Sequence, residues 1–290
     1  MPKKETKEKE TKEKKPKEKE PKEKKPKEKK PKEKKEDESN ISNINVEEEH
    51  IKKSENKEWV VAFDPGKINF AFIIEEIDTD MLENLVCPNK KDRFFNNRDI
   101  EQEKKKRKKR EDLEPTDSYV DFLEKFYHCG KTILCSNNNI TDTNSTDSKK
   151  KGSKALDVSL FLRLTDLLDK HKYYFDQCST IIIEQQMSFG ARINTMAIKI
   201  AQHTYSYFLF RYRDTKKIIE FPSYNKTQIL GAPGGLEKPK RKKWAIEKAD
   251  EIWTLRGDLS TSMFVGSKKK KDDMSDCLLH VLSYIITDKF

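Results

Sequence analysis

Residues 181–183, inside "STIIIEQQ", are three consecutive isoleucines with no polar residue between them. A strand with one wet face alternates apolar and polar side chains, so an unbroken β-branched run of this length belongs to a strand covered on both faces. That requirement selects a sheet held between layers of helices. The flanking sequence supplies them. Before the run, residues 156–171 ("LDVSLFLRLTDLLDKH") carry Leu156, Leu160, Leu164, Leu167 and Leu168 at helical spacing. After it, residues 191–213 repeat Ile193, Ala197, Ile200, Ala201, Thr204, Phe208 and Tyr212 at steps of three and four, which predicts a long packed helix. Residues 59–63 and 70–74 are apolar and β-favouring and are separated by the turn chemistry of "DPGK", so they predict a hairpin. Residues 218–221 form another short strand stopped by Pro222; "WAIEKADEIWTLR" reads as a helix, and "DDMSDCLLHVLSYIITDKF" as a last helix whose buried stripe is Cys277, Leu278, Val281, Leu282 and Ile285. The basic stretch "SYNKTQILGAPGGLEKPKRKK" is broken by Gly and Pro and reads as a loop. An opening hairpin followed by alternating strands and helices predicts an α/β domain with a central sheet flanked by helices.

Charged residues make up 39% of the 290 and hydrophobic ones 33%, too polar a balance to be spread evenly over a folded chain. The charge is concentrated. Residues 1–56 repeat units such as "KPKEKKPKEKK", hold almost no apolar side chain before Ile41, and cannot bury enough surface to offset ordering entropy. They are expected to be a disordered tail preceding a single domain over residues 57–290. Two further stretches, near residues 97–118 and 135–154, read as low-complexity insertions in that domain. The net charge is +10, and since Lys and Glu nearly cancel in the tail, much of the excess belongs to the folded part and its loops. A polyanionic partner is the natural implication, although a basic balance also serves solubility alone. The five cysteines (Cys87, Cys129, Cys135, Cys178, Cys277) are odd in number and show no C-x-x-C spacing, so neither a zinc site nor a disulfide framework is expected, and a reducing intracellular compartment fits. No apolar run reaches about 18 residues and no signal peptide opens the chain, so membrane insertion and secretion are not expected. The cluster "EKKKRKKRE" suits a nuclear address or a solvated loop.

Against this pattern stand acids where apolar residues are expected: Asp64 at the end of the first strand, Glu184 after the isoleucine run, and Asp272, Asp273 and Asp276 opening the last helix. Each has an ordinary structural role open to it, as a turn residue, a cap, or a partner of the helix dipole. Together they say more. Ligands of open α/β sheets gather at the carboxyl ends of strands, where acids from separate strands can meet. A three-residue step puts Asp273 and Asp276 on one helix face, while Asp272 points about 100° away. Clustered carboxylates raise one another's pKa and call for cations, and Mg²⁺ or Mn²⁺ are the hard, oxygen-seeking ones. Two such ions roughly 4 Å apart can activate water and stabilise the leaving oxygen of a phosphodiester.

At "FDPGKINFAF", "IIIEQQ", "NTMAIKIAQHTYSYF" and "KKKKDDMSDCLL" the chain resembles the RuvC-like Holliday junction resolvases, most closely the poxvirus and large DNA virus branch that is related to the fungal mitochondrial resolvases. The resemblance covers about residues 58–290. It implies an RNase H-like fold, a homodimer acting on four-way DNA junctions in recombination and viral genome processing, and Mg²⁺-dependent cleavage of two strands, with two ions in each site and Mn²⁺ as a substitute. It implies Asp64, Glu184, Asp273 and Asp276 as catalytic metal ligands, with Asp272 able to replace Asp273. Lys271 and Lys226 become candidate contacts to the cleaved phosphate. The expected setting is a cytoplasmic virus factory or the nucleus of an infected host, or a nucleus or mitochondrion for a cellular protein. No membrane and no small-molecule cofactor are implied.

A DNA-binding surface is expected from Lys238, Lys240, Arg241, Lys242 and Lys243 beside Trp244, and from Lys268, Lys269 and Lys270. Recognition would rest on shape and backbone, because nothing resembles a major-groove recognition helix. Tyr205, Tyr207 and Phe210 are expected in the core rather than as a stacking platform or dimer seam. His203 and His280 have no partner at metal-ligand spacing and are expected to be structural. Two other functions compete: a non-enzymatic basic nucleic-acid-binding protein whose acids are only turn and cap residues, and an ATPase of the actin and Hsp70 type, for which "GAPGG" is the sole hint.

Overall fold

The isoleucine run occupies the middle of a five-stranded sheet. A computed structural model describes residues 53–96, 113–141, 158–186, 193–233 and 236–290. In chain order the elements are β1 (Lys57–Asp64), β2 (Phe70–Asp78), α1 (Thr79–Glu83), β3 (Phe94–Asn96), β4 (Leu113–Pro115), α2 (Asp117–Tyr127), β5 (Gly130–Asn138), α3 (Val158–Lys170), α4 (Lys172–Gln177), β6 (Cys178–Gln185), α5 (Thr195–Tyr212), β7 (Lys217–Pro222), α6 (Ser223–Ile229), α7 (Lys238–Leu255), α8 (Leu259–Gly266) and α9 (Lys271–Lys289). The sheet order is β5-β2-β1-β6-β7, and β3 and β4 form a separate ribbon. Strands β5, β2 and β1 make an antiparallel meander, and β6 and β7 continue it parallel to β1. This mixed sheet with helices on both faces has the order and strand directions of the RNase H-like fold.

The pleat divides the core in two. Val60 and Ala62 of β1, Ala71 and Ile73 of β2, and Ile182 of β6 pack against α2, α7 and α9. Their neighbours Val61, Phe63, Phe70, Phe72, Ile74, Ile181 and Ile183 pack against α3, α4 and α5. On that second face Phe63 lies 5.3–5.7 Å, ring centre to ring centre, from Phe70, Phe72, Phe175 and Phe208. The unbroken Ile181–Ile183 run is thus explained by alternation between two apolar layers.

Several helices are as the spacing predicts. Helix α3 buries Leu160, Leu164 and Leu168, and α5 buries Ala197, Ile200, Ala201, Thr204, Phe208 and Tyr212. Ile193 lies before α5 and is exposed; Asn194 caps the helix by accepting from the Ala197 amide. The last helix has more than a buried stripe: every residue of α9 from Cys277 to Ile286 is buried. It lies between the sheet and helices α6 and α7, so both of its sides are covered.

Three expectations need correction. The basic stretch expected as a loop contains α6 and the first turns of α7, because Pro239 stands at the helix start, where a missing N–H costs nothing, and Lys and Arg are good helix formers. The insertion expected from residue 135 starts too early: residues 135–138 pair with β2 as the end of β5. Likewise β4 and the start of α2 fall inside the insertion expected to end at residue 118. Residues 1–52, 97–112 and 142–157, on which the tail and insertion readings rest, lie outside the described residues, as do residues 187–192. The cysteines are all unbonded thiols, four of them buried. Among the described residues no helix is long and apolar enough to cross a membrane.

Candidate active site

Strand register brings the first two acids together. Phe63 pairs with Ile183 across the parallel β1–β6 ladder, so Asp64 and Glu184, one residue further along each strand, emerge level at the carboxyl edge. Phe63 and Ile183 face the α5 layer, and the two acids therefore face the opposite layer, which holds α9. The chain leaves the edge through Pro65 and Gly66. A Cβ on Gly66 would stand 2.5 Å from the Asn69 carbonyl oxygen, so the tight turn into β2 has no room for a side chain. Helix α9 delivers Asp273 and Asp276 from above the same edge. Beyond Pro222, β7 runs straight into α6, which carries Lys226 into the group; its Nζ lies 2.8 Å from Asp276 Oδ2.

The electrostatics show how closely these side chains act on one another. Burial, then the charge of Glu184, pushes the Asp64 carboxyl well above its ordinary range, with Asp273 and Asp276 adding to the effect and Lys226 opposing it. Glu184 is also raised, first by burial, while Lys226 and a hydrogen bond with Asp64 hold it down in part. Asp273 is pushed up to about 6 by burial and by the neighbouring Asp272. Burial alone would lower the Lys226 pKa, but Asp276, Glu184 and Asp64 outweigh it and keep the ammonium charged.

Asp272 belongs elsewhere. It is buried and forms a salt bridge with Lys242 of α7, whose hydrogen bond and charge overcome the cost of burial and hold its carboxyl below the usual value. Asp273, by contrast, keeps Oδ2 buried with no hydrogen-bond partner. Of the two neighbours, Asp273 is the one that acts on Asp64.

Asp276, Glu184 and Asp64 around one ammonium, with Asp273 acting on Asp64 and keeping one buried oxygen unpaired, form a donor set that suits a hard divalent cation. As they stand, no three His, Cys, Asp or Glu side chains among the described residues are arranged to hold a metal ion. Lys226 is paired with Asp276 of the group, and Glu184 and Asp64 act on its charge. His280, one turn past Asp276 on α9, is fully buried against Phe221, with neither ring nitrogen hydrogen-bonded; burial and the charge of Lys226 hold it neutral. His203 accepts or donates a hydrogen bond with Thr165 Oγ1 at 2.9 Å and packs on Phe161.

Of the predicted basic residues, Lys242 acts on Glu184 and Asp273, and Lys270 on Asp273. A cleft of about 540 Å³ between the starts of α7 and α9 is lined by Lys242, Lys243, Lys269, Lys270, Lys271 and Asp272, among others. Lys238, Lys240 and Arg241 are exposed on the first turns of α7. Lys268 covers the Phe264 ring at 4.4 Å, and Lys243 pairs with Glu247 one turn on. Lys242 lines the cleft and its charge acts on Glu184 and Asp273, so the cleft and the acid group adjoin at Lys242. Lys226 was legible only as a candidate partner of the phosphate; its placement after β7 was the available sign that it would reach the edge where the strands end. Tyr205 and Tyr207 are half-buried and pack at the margin of the core rather than within it, and Tyr207 donates to Asp169. Phe210 is a correction: it is 82% exposed, because it falls on the outer side of α5. The segment "GAPGG" follows a helix and not a strand, so the strand-to-turn geometry of an ATPase phosphate loop is missing there.

No protein-family model matches the chain. Uncharacterized protein 97L of Invertebrate iridescent virus 3 is 32% identical over 139 residues, covering 48% of this chain and 63% of that protein. Uncharacterized protein 170L of Invertebrate iridescent virus 6 is 33% identical over 144 residues, covering 43% of this chain and 57% of that protein. The chain thus spans about three fifths of the length of the curated relatives it matches. Among solved structures, RuvC of Thermus thermophilus is similar at a TM-score of 0.36 and 9% identity, over 79% of this chain and 96% of that one. Both of these sequence relatives of the chain are proteins of invertebrate iridescent viruses.

Proposed function

We propose that this protein is a metal-dependent endodeoxyribonuclease that resolves four-way DNA junctions. The observation that carries the reading is the convergence of Asp64, Glu184, Asp273 and Asp276, from two strands and a helix, at a sheet edge that adjoins a lysine-lined cleft. Asp64, Glu184, Asp273 and Asp276 would hold Mg²⁺, with Mn²⁺ as a substitute. When bound, such ions supply activation of water and stabilisation of the leaving oxygen. The protein's own residues do the rest. Lys243, Lys269 and Lys270 attract the phosphate backbone and read its path, not its bases. Lys242 is held by Asp272 at the boundary between cleft and acids, where it sets the distance of a bound strand from Asp273. Attack of water in line with the leaving oxygen gives 5′-phosphate and 3′-hydroxyl ends. Cutting two strands of one junction symmetrically calls for two copies, and a homodimer is part of the proposal.

The test uses purified wild-type protein and Asp64→Asn on a synthetic four-way junction and on linear duplex, with Mg²⁺. The expected result is junction cleavage by the wild type, loss of cleavage in the variant, and equal junction binding by both. Cleavage retained in Asp64→Asn would refute the proposed role of the acid group. Binding without cleavage in the wild type would instead favour a basic DNA-binding protein.

A further inference from the structure

Lys226 is a cation in a place where cations are rarely left. It is 5% exposed, and its ammonium forms the salt bridge to Asp276 at 2.8 Å described above. Helix α6 is fixed where it stands: it grows directly out of β7, and the Ile229 carbonyl near its end accepts a hydrogen bond from Tyr119 at 2.8 Å. Among the described residues, Lys226 forms the only salt bridge to Asp64, Glu184, Asp273 or Asp276, and the nearby Lys242 is engaged by Asp272. A lone buried ion pair commonly returns less than its desolvation costs. A lysine facing several buried carboxylates differs, because without it the repulsion between Asp64 and Glu184 loses its main counterweight.

We infer that Lys226 is the built-in counter-ion of the carboxylate group, standing where a divalent cation's charge would act and competing with that cation for Asp276. The inference rests on the metal-dependent reading of the site. Linkage makes the competition reciprocal: whatever affinity Lys226 takes from the metal, the metal takes from the Lys226–Asp276 pair. The protein can therefore keep its acids together while metal-free, and it takes up metal more weakly than four carboxylates alone would.

Thermal unfolding in EDTA and direct titration with Mn²⁺ test this on the full chain, using Lys226→Met and the double variant Lys226→Met/Asp276→Asn. In EDTA the single variant should melt well below wild type, and the double variant, which loses one charge of each sign, should recover most of the deficit. With Mn²⁺ the single variant should bind on the order of tenfold more tightly than wild type. Equal Mn²⁺ affinity in the two proteins, or a deficit that the double variant leaves in place, would overturn the inference. If the single variant does not fold, a folded double variant supports the counter-ion role and an unfolded one overturns it. Recovery in EDTA with no Mn²⁺ binding by any protein would uphold the counter-ion and strike the metal-dependent reading instead.

Discussion

Asp272 and Asp273 leave α9 about 100° apart, and that angle gives them different partners. One carboxyl meets Lys242; the other joins Asp64, with Oδ2 buried and unpaired. The spacing of "DDMSD" paired Asp273 with Asp276 but left open which of the two neighbours joins the strand acids, since that depends on where α7 places Lys242. In the proposed nuclease, Asp273→Asn should abolish junction cleavage, whereas Asp272→Asn should retain measurable cleavage and lose at most about 1 kcal/mol of stability, because Lys242 is 44% exposed and can turn to water. Cleavage rates and denaturant unfolding of the two variants check this, and equal loss of cleavage in both would count against the assignment. Gly66 was legible in part as turn chemistry. Its actual constraint, a carbonyl where a side chain would go, comes from the local path of the chain.

At the scale of elements, periodicity found β1, β2, β6, α3, α5 and α9, because each carries a long apolar pattern that packing preserves. It did not separate α6 and the first turns of α7 from a loop, since a proline and a run of lysines look like breakers until the helix that uses them is seen. Strand β5 and helix α2 were hidden between polar runs, although Tyr119, Phe122, Leu123 and Phe126 repeat at helical steps and all are buried. The junction of α7 with α9 carries a binding prediction. Replacing Lys243, Lys269 and Lys270 with Gln should weaken junction binding for all sequences alike. It should also lower the slope of log K against log salt by about 0.9 for each duplex-arm phosphate that the protein no longer neutralises. Fluorescence anisotropy at several salt concentrations measures it. An unchanged slope would move the DNA path away from this cleft.

Across the whole molecule, the layer that holds the site is tied together far from it. Arg256, at the end of α7, donates to Glu75 Oε2 of β2 at 2.7 Å and to the Tyr127 carbonyl oxygen at 2.6 Å, with both charged side chains almost fully buried. Glu75 also accepts from Thr132, and Thr132 accepts from Trp253 at 2.9 Å. Breaking this pair from one side leaves a buried charge unpaired, so Arg256→Ala should cost about 3–5 kcal/mol, and Arg256→Met with Glu75→Gln should cost less than the single change. Denaturant unfolding of the three proteins decides whether the pair acts as a unit. The sequence by itself determined the layered α/β architecture, the hairpin that ends in Asp64 and the set of acids, because these follow from local periodicity and from carboxylates at the ends of apolar runs. The tertiary structure decided which acids meet, that Lys226 stands among them, and that the basic stretch is one wall of a cleft. Those outcomes depend on strand register and on how helices cross over the sheet, which bring together residues far apart in the chain and leave no periodic trace in it.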